Sequence, residues 1–173
     1  MVGSVDYAEL HCLSNFTFLR GASHPEELVE RTAKLGYRAL AITDECSLAG
    51  VVRAHVEAKQ QNLPLIIGSE FCLDDGLRFV LLATDRESYG HLSALITRAR
   101  RQAEKGSYRL TRDDLVESCP AGCLVLWLPA DQADPADGPG RRQRTAQRGA
   151  DHLAARELKA AVCPIENAHR ALE

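Results

Sequence analysis

The chain has 173 residues, of which 45% are hydrophobic and 26% are charged, and its net charge at pH 7 is −3. This length suits one domain or a part of a larger protein. The near balance of charge excludes a basic field over the whole chain of the kind that attracts nucleic acid. Because there is no signal-peptide pattern and no apolar run of ~18 residues, we expect a cytoplasmic protein that is not embedded in a membrane.

Strand and helix patterns alternate from residue 7 to residue 129. A strand at 7–13 is followed by a helix in which Ser23 and Glu26 form a capping box and which Gly36 ends. Further strands are expected at 39–43, 65–67, 77–83 and 123–128, and further helices at 47–61, at 87–104 and from Thr111. Alternation of this kind predicts an α/β fold with right-handed crossovers and a largely parallel sheet or barrel.

The pattern changes after Pro129. Residues 130–150 are polar and rich in Pro, Gly and Arg, which is typical of a linker or a disordered segment. Residues 151–162 form at most one weak, Ala-rich helix. We therefore divide the chain into a folded domain at 5–130 and a divergent tail at 131–173, which is either disordered or the product of a truncated or frame-shifted reading frame.

Three polar residues each follow a short apolar run that has the character of a strand. They are His11, Asp44 and Glu70. The carboxyl ends of parallel strands meet on one rim of an α/β protein, where chemistry usually takes place. One histidine and two carboxylates on a shared rim are suitable ligands for a divalent metal.

The six cysteines do not predict a second site. No two of them form a Cys-x-x-Cys pair, and a disulfide framework is not expected without a secretion signal. Cys119 and Cys123 are the nearest pair, but the pair has no second half, which disfavours a zinc knuckle. We expect the cysteines to pack as small hydrophobic residues. We also expect Trp127, on the last strand, to lie in the hydrophobic core.

Four segments carry a resemblance to a known family, namely residues 7–29, 39–52, 66–71 and 79–93. In this order they resemble the PHP (polymerase and histidinol phosphatase) domain. They are most similar to the PHP domain at the N-terminus of bacterial C-family DNA polymerases, in particular the error-prone alpha subunits of translesion synthesis. The resemblance covers about residues 5–130. It implies a distorted (β/α)7 barrel, incomplete here because only about five strands are readable.

Active PHP domains resemble trinuclear metal phosphoesterases, in which clustered ions activate a water molecule. The resemblance places metal ligands at His11, Asp44 and Glu70 and allows Glu45 as a substitute oxygen ligand. It implies Zn²⁺ or Mn²⁺ at partial occupancy as the cofactor.

The sequence departs from the family pattern at three positions. Leu13 stands at the second histidine of the family's His-x-His motif, and Glu45 stands at the histidine of its Asp-His motif. Arg78 aligns with a further family histidine. Loss of ligands removes both affinity and the geometry that activates water. We therefore expect a degenerate site without catalytic residues, and a competent hydrolytic centre or a single residual metal are the alternatives.

Three hypotheses about function follow from the resemblance. In the first, the chain is the PHP portion of an error-prone DNA polymerase III alpha-type subunit, a DNA-directed DNA polymerase, and has a structural role. Its partners are then the remaining polymerase domains or accessory translesion subunits, and it meets DNA only through the parent polymerase. The second hypothesis is a stand-alone metal-dependent phosphoesterase. The third is a non-functional truncated product. Whether this chain is itself an enzyme stays open, because no polymerase domain is recognisable in it.

A basic cluster is expected on the helix at 87–104, formed by Arg98, Arg100, Arg101 and Lys105. Such a cluster either contacts DNA phosphates in a longer polymerase or forms a solvated helix face, and we favour the second interpretation. His55 and His91, which also lie on expected helices, are interpreted as surface or capping residues.

Overall fold

The computed structural model describes residues 6–118 and 120–129. The tail predicted at 131–173, its helix at 151–162, and the cysteines Cys119 and Cys163 lie outside the described residues. No helix in the described part of the chain is long and apolar enough to cross a membrane. In chain order the elements are β1 (Ala8–Cys12), α1 (Pro25–Leu35), β2 (Ala39–Ile42), α2 (Val51–Gln61), β3 (Leu65–Cys72), β4 (Arg78–Ala83), α3 (Arg86–Arg101), α4 (Arg112–Ser118) and β5 (Cys123–Leu128).

The five strands form one sheet in the order β1-β2-β3-β4-β5. The α/β class and the five strands predicted from the sequence are confirmed. The sheet is mixed, however, because only β1, β2 and β3 are parallel, and β3–β4 and β4–β5 are antiparallel. The link between Cys72 and Arg78 is too short for a crossover helix and turns at Gly76, where φ is +88°. The Asp-Gly pair at 75–76 is the sequence signal for this hairpin.

Two hydrophobic clusters lie between the sheet and the helices. Helices α1 and α2 cover the parallel strands, whereas α3 and α4 cover the antiparallel ones. The first cluster includes Val29, Leu40, Ile42, Ala54 and Ala58, and the second includes Phe71, Phe79, Leu92, Leu95 and Leu115. The opposite face of the sheet carries a smaller cluster around Ala41, Val80 and Leu82. That opposite face also carries the candidate site.

The first two helices begin later than the sequence predicts. The N-cap of α1 is His24 rather than Ser23, and its backbone N–H donates to Glu27 Oε2 at 2.8 Å. The N-cap of α2 is Gly50 rather than Ser47. Pro25 explains the first shift, since a proline is favoured in the first turn of a helix. The predicted stop at Gly36 is confirmed by its left-handed φ of 73°.

The prediction that Trp127 lies in the core is wrong, since 36% of this residue is exposed. Cys123, on the same strand, is buried in the cluster under α3. The apolar run of β5 does not reveal this difference, because alternation along a strand fixes the face but not how far the covering helices extend.

Candidate functional site

The candidate site lies at the end of the parallel strands, on the face of the sheet that the helices do not cover. The register places Glu70 opposite Val80 and Cys72 opposite Arg78, so Arg78 is a diagonal neighbour of Glu70 on one face. The backbone of Glu45 pairs with that of Glu70 in a parallel bridge just beyond β2. This pairing brings the two glutamates together.

Glu70 is the centre of the site, and its side chain is fully buried. His11 Nε2 donates to Oε2 at 2.8 Å. The Arg20 guanidinium donates to both carboxylate oxygens, at 2.9 Å and 3.0 Å, in a bidentate arrangement. Arg78 Nη2 donates to Oε1 as well. Burial alone raises the pKa of Glu70, but the hydrogen bonds from one histidine and two arginines outweigh it and lower this pKa to about 2.

Glu45 forms the outer part of the same cluster. Its Oε2 accepts from Arg20 Nη1 at 2.7 Å, and its Oε1 accepts from the Tyr108 hydroxyl at 2.8 Å. The Tyr108 oxygen in turn accepts from the backbone N–H of Cys72 at 2.9 Å. Burial and the neighbouring Glu45 raise the pKa of Tyr108, so the phenol stays protonated and donates to the carboxylate. Arg20 therefore bridges two carboxylates, that of Glu45, which follows β2, and that of Glu70, which lies on β3.

Asp44 is buried and serves a different purpose. Its Oδ1 accepts from the Ser14 backbone N–H at 2.8 Å and from Thr17 Oγ1 at 2.7 Å, and its Oδ2 accepts from Ser14 Oγ at 2.7 Å. The Thr17 hydroxyl also accepts from the Glu45 N–H at 3.0 Å. These contacts attach the β1–α1 loop to the end of β2, so Asp44 acts as a loop anchor.

The β1–α1 loop brings Arg20 to the carboxylates because it is tightly wound. The backbone N–H groups of Arg20 and Gly21 both donate to the Thr17 carbonyl, at 3.2 Å and 2.9 Å. A Cβ at Gly21 would lie 1.9 Å from the Ser14 carbonyl oxygen, so only glycine allows this close approach. The loop geometry and the ion pairs therefore depend on each other.

The structure joins some of the predicted site residues and separates others. His11 contacts Glu70 directly, and Glu45 reaches it through Arg20, whereas Asp44 faces the loop. Arg20 was not predicted, because no motif marks it. The only signal is that Arg20 is the one lysine or arginine among residues 1–30.

Three residues of the basic cluster predicted on α3, namely Arg100, Arg101 and Lys105, are exposed, in agreement with a solvated face, and two arginines of the cluster also make internal contacts. Arg98 binds Asp114 at 3.0 Å and also pairs with Glu117. The Arg100 guanidinium donates to the backbone carbonyls of residues 45, 46 and 107. These contacts hold α3 against α4 and against the loop after β2.

Two further histidines of the described residues, His55 and His91, lie away from the site. His55 is exposed on α2. His91 Nδ1 donates to the Ala121 carbonyl at 3.1 Å, which links α3 to the start of β5. The interpretation of both as surface or capping residues agrees with these positions.

The described cysteines behave as small hydrophobic residues. Cys46 and Cys123 are buried. Burial raises the pKa of both thiols to about 11, so they stay protonated and unreactive at neutral pH.

The sequence from residue 9 to residue 156 matches the family model of the PHP domain. The chain belongs to the PHP domain family. It is 62% identical over 137 residues to the error-prone DNA polymerase of Dechloromonas aromatica, a match that covers 77% of this chain and 13% of that protein. It is 61% identical over 128 residues to the error-prone DNA polymerase of Pseudomonas aeruginosa, covering 74% and 12%. The resemblance found in the sequence is confirmed, and this PHP domain spans about one eighth of such relatives.

The family match ends at residue 156, which is beyond residue 130, the end of the folded domain predicted from the sequence. The division of the chain between residues 130 and 131 stays a prediction.

A solved structure supports the fold. A two-domain protein from Bacteroides vulgatus, described as containing a predicted PHP-like metal-dependent phosphoesterase, superposes with a TM-score of 0.51 at 17% identity, covering 82% of this chain and 41% of that one. A likeness at this identity concerns the fold alone. The five strands described here form part of a distorted PHP barrel.

The metal that the family implies does not fit the donor set of this PHP domain. Within residues 6–118 and 120–129, no group of three or more His, Cys, Asp and Glu side chains is placed to hold a metal. Both oxygens of Glu70 accept from cationic groups, and both oxygens of Asp44 accept from the β1–α1 loop. Leu13 offers no donor atom. No hydrolytic step through a metal is assigned to this cluster.

Proposed function

We propose that the chain is the PHP portion of an error-prone DNA polymerase III alpha-type subunit, a DNA-directed DNA polymerase of damage-induced translesion synthesis, and that its role there is structural. One observation carries the structural role. The carboxylate of Glu70, at a position where active family members bind metal, is fully buried and occupied by His11, Arg20 and Arg78. The high identity to polymerases supports the parent protein.

The network around Glu70 has the properties of a structural cross-link. It joins the β1–α1 loop, the end of β2, strand β4 and, through Tyr108, the segment between α3 and α4. Removing one partner from a buried, hydrogen-bonded ion cluster typically costs ~3–5 kcal/mol, because the remaining charge stays buried. The cluster therefore holds the loops and strands at this end of the sheet in fixed positions, against which other domains of a larger protein can pack.

The proposed partners are the polymerase domains that make up the rest of the longer relatives, with accessory translesion subunits as further partners. DNA is reached through the parent polymerase, and the place of action is the bacterial cytoplasm. Since the donor set does not fit Zn²⁺ or Mn²⁺, we propose that the domain works without a metal.

A domain replacement tests the structural role. In the polymerase of Dechloromonas aromatica, the 137-residue matched region is deleted, or replaced by residues 6–129 of this chain. The deletion is expected to lower the melting temperature and primer extension of the polymerase, and the replacement to restore both. A replacement that also carries Glu70→Gln should restore neither in full.

The matched control for this experiment is a replacement carrying Lys34→Ala. Lys34 is exposed on α1 and binds Glu30, one turn away on the same helix, at 3.2 Å. This control should behave as the unmodified replacement. A deleted polymerase as stable and active as the intact one would contradict the structural role. Hydrolysis of bis(p-nitrophenyl) phosphate by the pure 173-residue chain with Mn²⁺ would support the phosphoesterase alternative.

A further inference from the structure

We propose that Phe18, Leu19 and the open cavity beside them form a docking surface for an apolar segment with an acidic side chain, which belongs to the part of the longer relatives outside the matched region. The inference rests on the proposed place of this domain in such a polymerase. It deepens that proposal by naming the surface that makes the contact and the chemistry of the segment that covers it.

The tip of the β1–α1 loop presents two large apolar side chains to solvent. Phe18 is 84% exposed, and Leu19 is fully exposed. One exposed apolar residue is ordinary, whereas an adjacent pair beside a cavity marks a site of interaction. Leu19 also has a left-handed backbone conformation, with a φ of +66°, which is unfavourable for a residue with a Cβ. Neither feature stabilises the domain by itself, so both point to a contact outside it.

An open cavity of about 540 Å³ lies next to this pair, and Phe18 forms part of its wall. Phe16 and Tyr108 supply two further aromatic walls. The volume falls within the ~300–1,000 Å³ that is usual for binding pockets. The cavity therefore has room for a few side chains of a partner segment, and its aromatic walls favour apolar ones.

The charge at the cavity determines the chemistry of the partner. Arg100 lines the cavity and is exposed, and it donates to backbone carbonyls. Within the described residues, no carboxylate pairs with it at salt-bridge distance. Glu45 also lines the cavity, but Arg20 neutralises it at 2.7 Å. One positive charge remains, which favours an acidic side chain on the partner. Single-stranded DNA fits less well, because Leu19 offers no stacking face and one cation neutralises few phosphates.

The loop holds the docking surface in a fixed position. Just before the exposed pair, Thr17 donates to Asp44 at 2.7 Å. Just after the pair, Arg20 binds both Glu45 and Glu70. A surface that is already ordered loses little entropy when it binds. The longer relatives supply a partner in the same chain, since the matched region is only 13% of the polymerase of Dechloromonas aromatica, and a linked partner is held at high effective concentration.

The test compares the isolated 173-residue chain with the domain replacement proposed above. Phe18→Ser/Leu19→Gly is made in both. In the isolated chain the melting temperature should stay the same or rise, because both side chains are exposed and glycine favours a left-handed φ. In the replacement polymerase, the same double variant should lower the melting temperature and primer extension. The matched control is Val116→Ser, which removes another exposed apolar side chain, on α4, and should change neither protein.

Cross-linking identifies the occupant. A replacement polymerase carrying Phe18→p-benzoylphenylalanine should, on irradiation, form a cross-link to a segment outside the matched region, and mass spectrometry should find Asp or Glu near the linked residue. The same probe at Val116 should not form this cross-link. The isolated chain should stay monomeric in sedimentation and should not bind a fluorescent oligo-dT in anisotropy titrations.

Several results would overturn the inference. One is a double-variant replacement that works as well as the unmodified replacement, which would leave the structural role of the domain intact. Others are an equal loss of stability in the isolated chain, or self-association or oligo-dT binding that the double variant abolishes, since a second copy or DNA would then be the occupant. If even the unmodified replacement restores nothing, the proposed function fails first and the inference fails with it.

Discussion

Glu70→Gln is the most informative single substitution, because it keeps the size of the side chain and removes its charge. The pKa of Glu70 is lowered from 4.5 to about 2 in the folded chain. At about 1.4 kcal/mol per pKa unit, this gap corresponds to about 3 kcal/mol of stability at neutral pH. The value agrees with the ~3–5 kcal/mol typical of breaking a buried ion pair. We therefore expect Glu70→Gln to lower the melting temperature by roughly 10–20 °C.

The same substitution changes how stability depends on pH. Because the pKa of Glu70 is lower in the folded than in the unfolded chain, the unfolded chain binds more protons in acid. The contribution of Glu70 is fully present above a pH of about 4.5 and is lost as the pH falls towards about 2. Wild type should lose this part of its stability across that window, and Glu70→Gln should not, since it has already lost it.

Urea unfolding followed by circular dichroism at several pH values between 2.5 and 7 measures both effects. Asp114→Asn is the matched control. Burial alone raises the pKa of Asp114, but hydrogen bonds from Gln102 and Thr111 lower it to about 2, at a place remote from Arg20. This variant should keep the part of the acid sensitivity that Glu70 causes. A loss below about 1 kcal/mol at pH 7 for Glu70→Gln, or an unchanged acid slope, would refute the reasoning.

Three further predictions concern the loop and the metal. Dialysis against EDTA should leave the melting temperature unchanged in differential scanning fluorimetry, and a clear drop would show that a metal stabilises the fold. Gly21→Ala should destabilise the chain, because its Cβ meets the Ser14 carbonyl, whereas Gly90→Ala, in open space on α3, should stabilise it by up to ~1 kcal/mol. Equal effects in urea unfolding would contradict the packing described for the loop. Thr17→Val should cost about 1–3 kcal/mol, since its hydroxyl bonds Asp44 and the Glu45 N–H. Thr97→Val, on the exposed face of α3, should change the free energy of unfolding by less than ~0.5 kcal/mol, and a similar loss for both would argue against the anchor.

The order and type of the elements could be read from the sequence, because apolar periodicity and helix stops are local. The directions of the strands were harder to predict. The turn at 75–76 reverses the chain after β3, and two local signals indicate it, namely the Asp-Gly pair and the short link between Cys72 and Arg78. The start of α2 was also missed, since Ser47 is a good N-cap in isolation, yet its N–H donates to Ser69 Oγ, which lies on β3. Long-range contacts of this kind outweigh local preference.

The site was predictable in its positions but not in its chemistry. The rule that strand ends converge groups His11, Asp44 and Glu70, and of these the structure brings His11 and Glu70 into contact, whereas Asp44 faces the β1–α1 loop. The role of Asp44 depends on hydroxyl groups of a loop whose path no periodic pattern describes. Arg20 is nine positions from His11 in the chain, and its long side chain can reach many places. Its partner is determined by the winding of the loop at Gly21, which is a property of the folded backbone.

The pairing of Arg20 with two carboxylates also means that single substitutions here are not independent of one another. Leu13→His alone would add an imidazole while Arg20 and Arg78 still occupy both carboxylate oxygens of Glu70. Arg20→Ala alone would leave Glu45 and Glu70 without the cation that they share. The effects of changes at these positions are therefore expected to be non-additive.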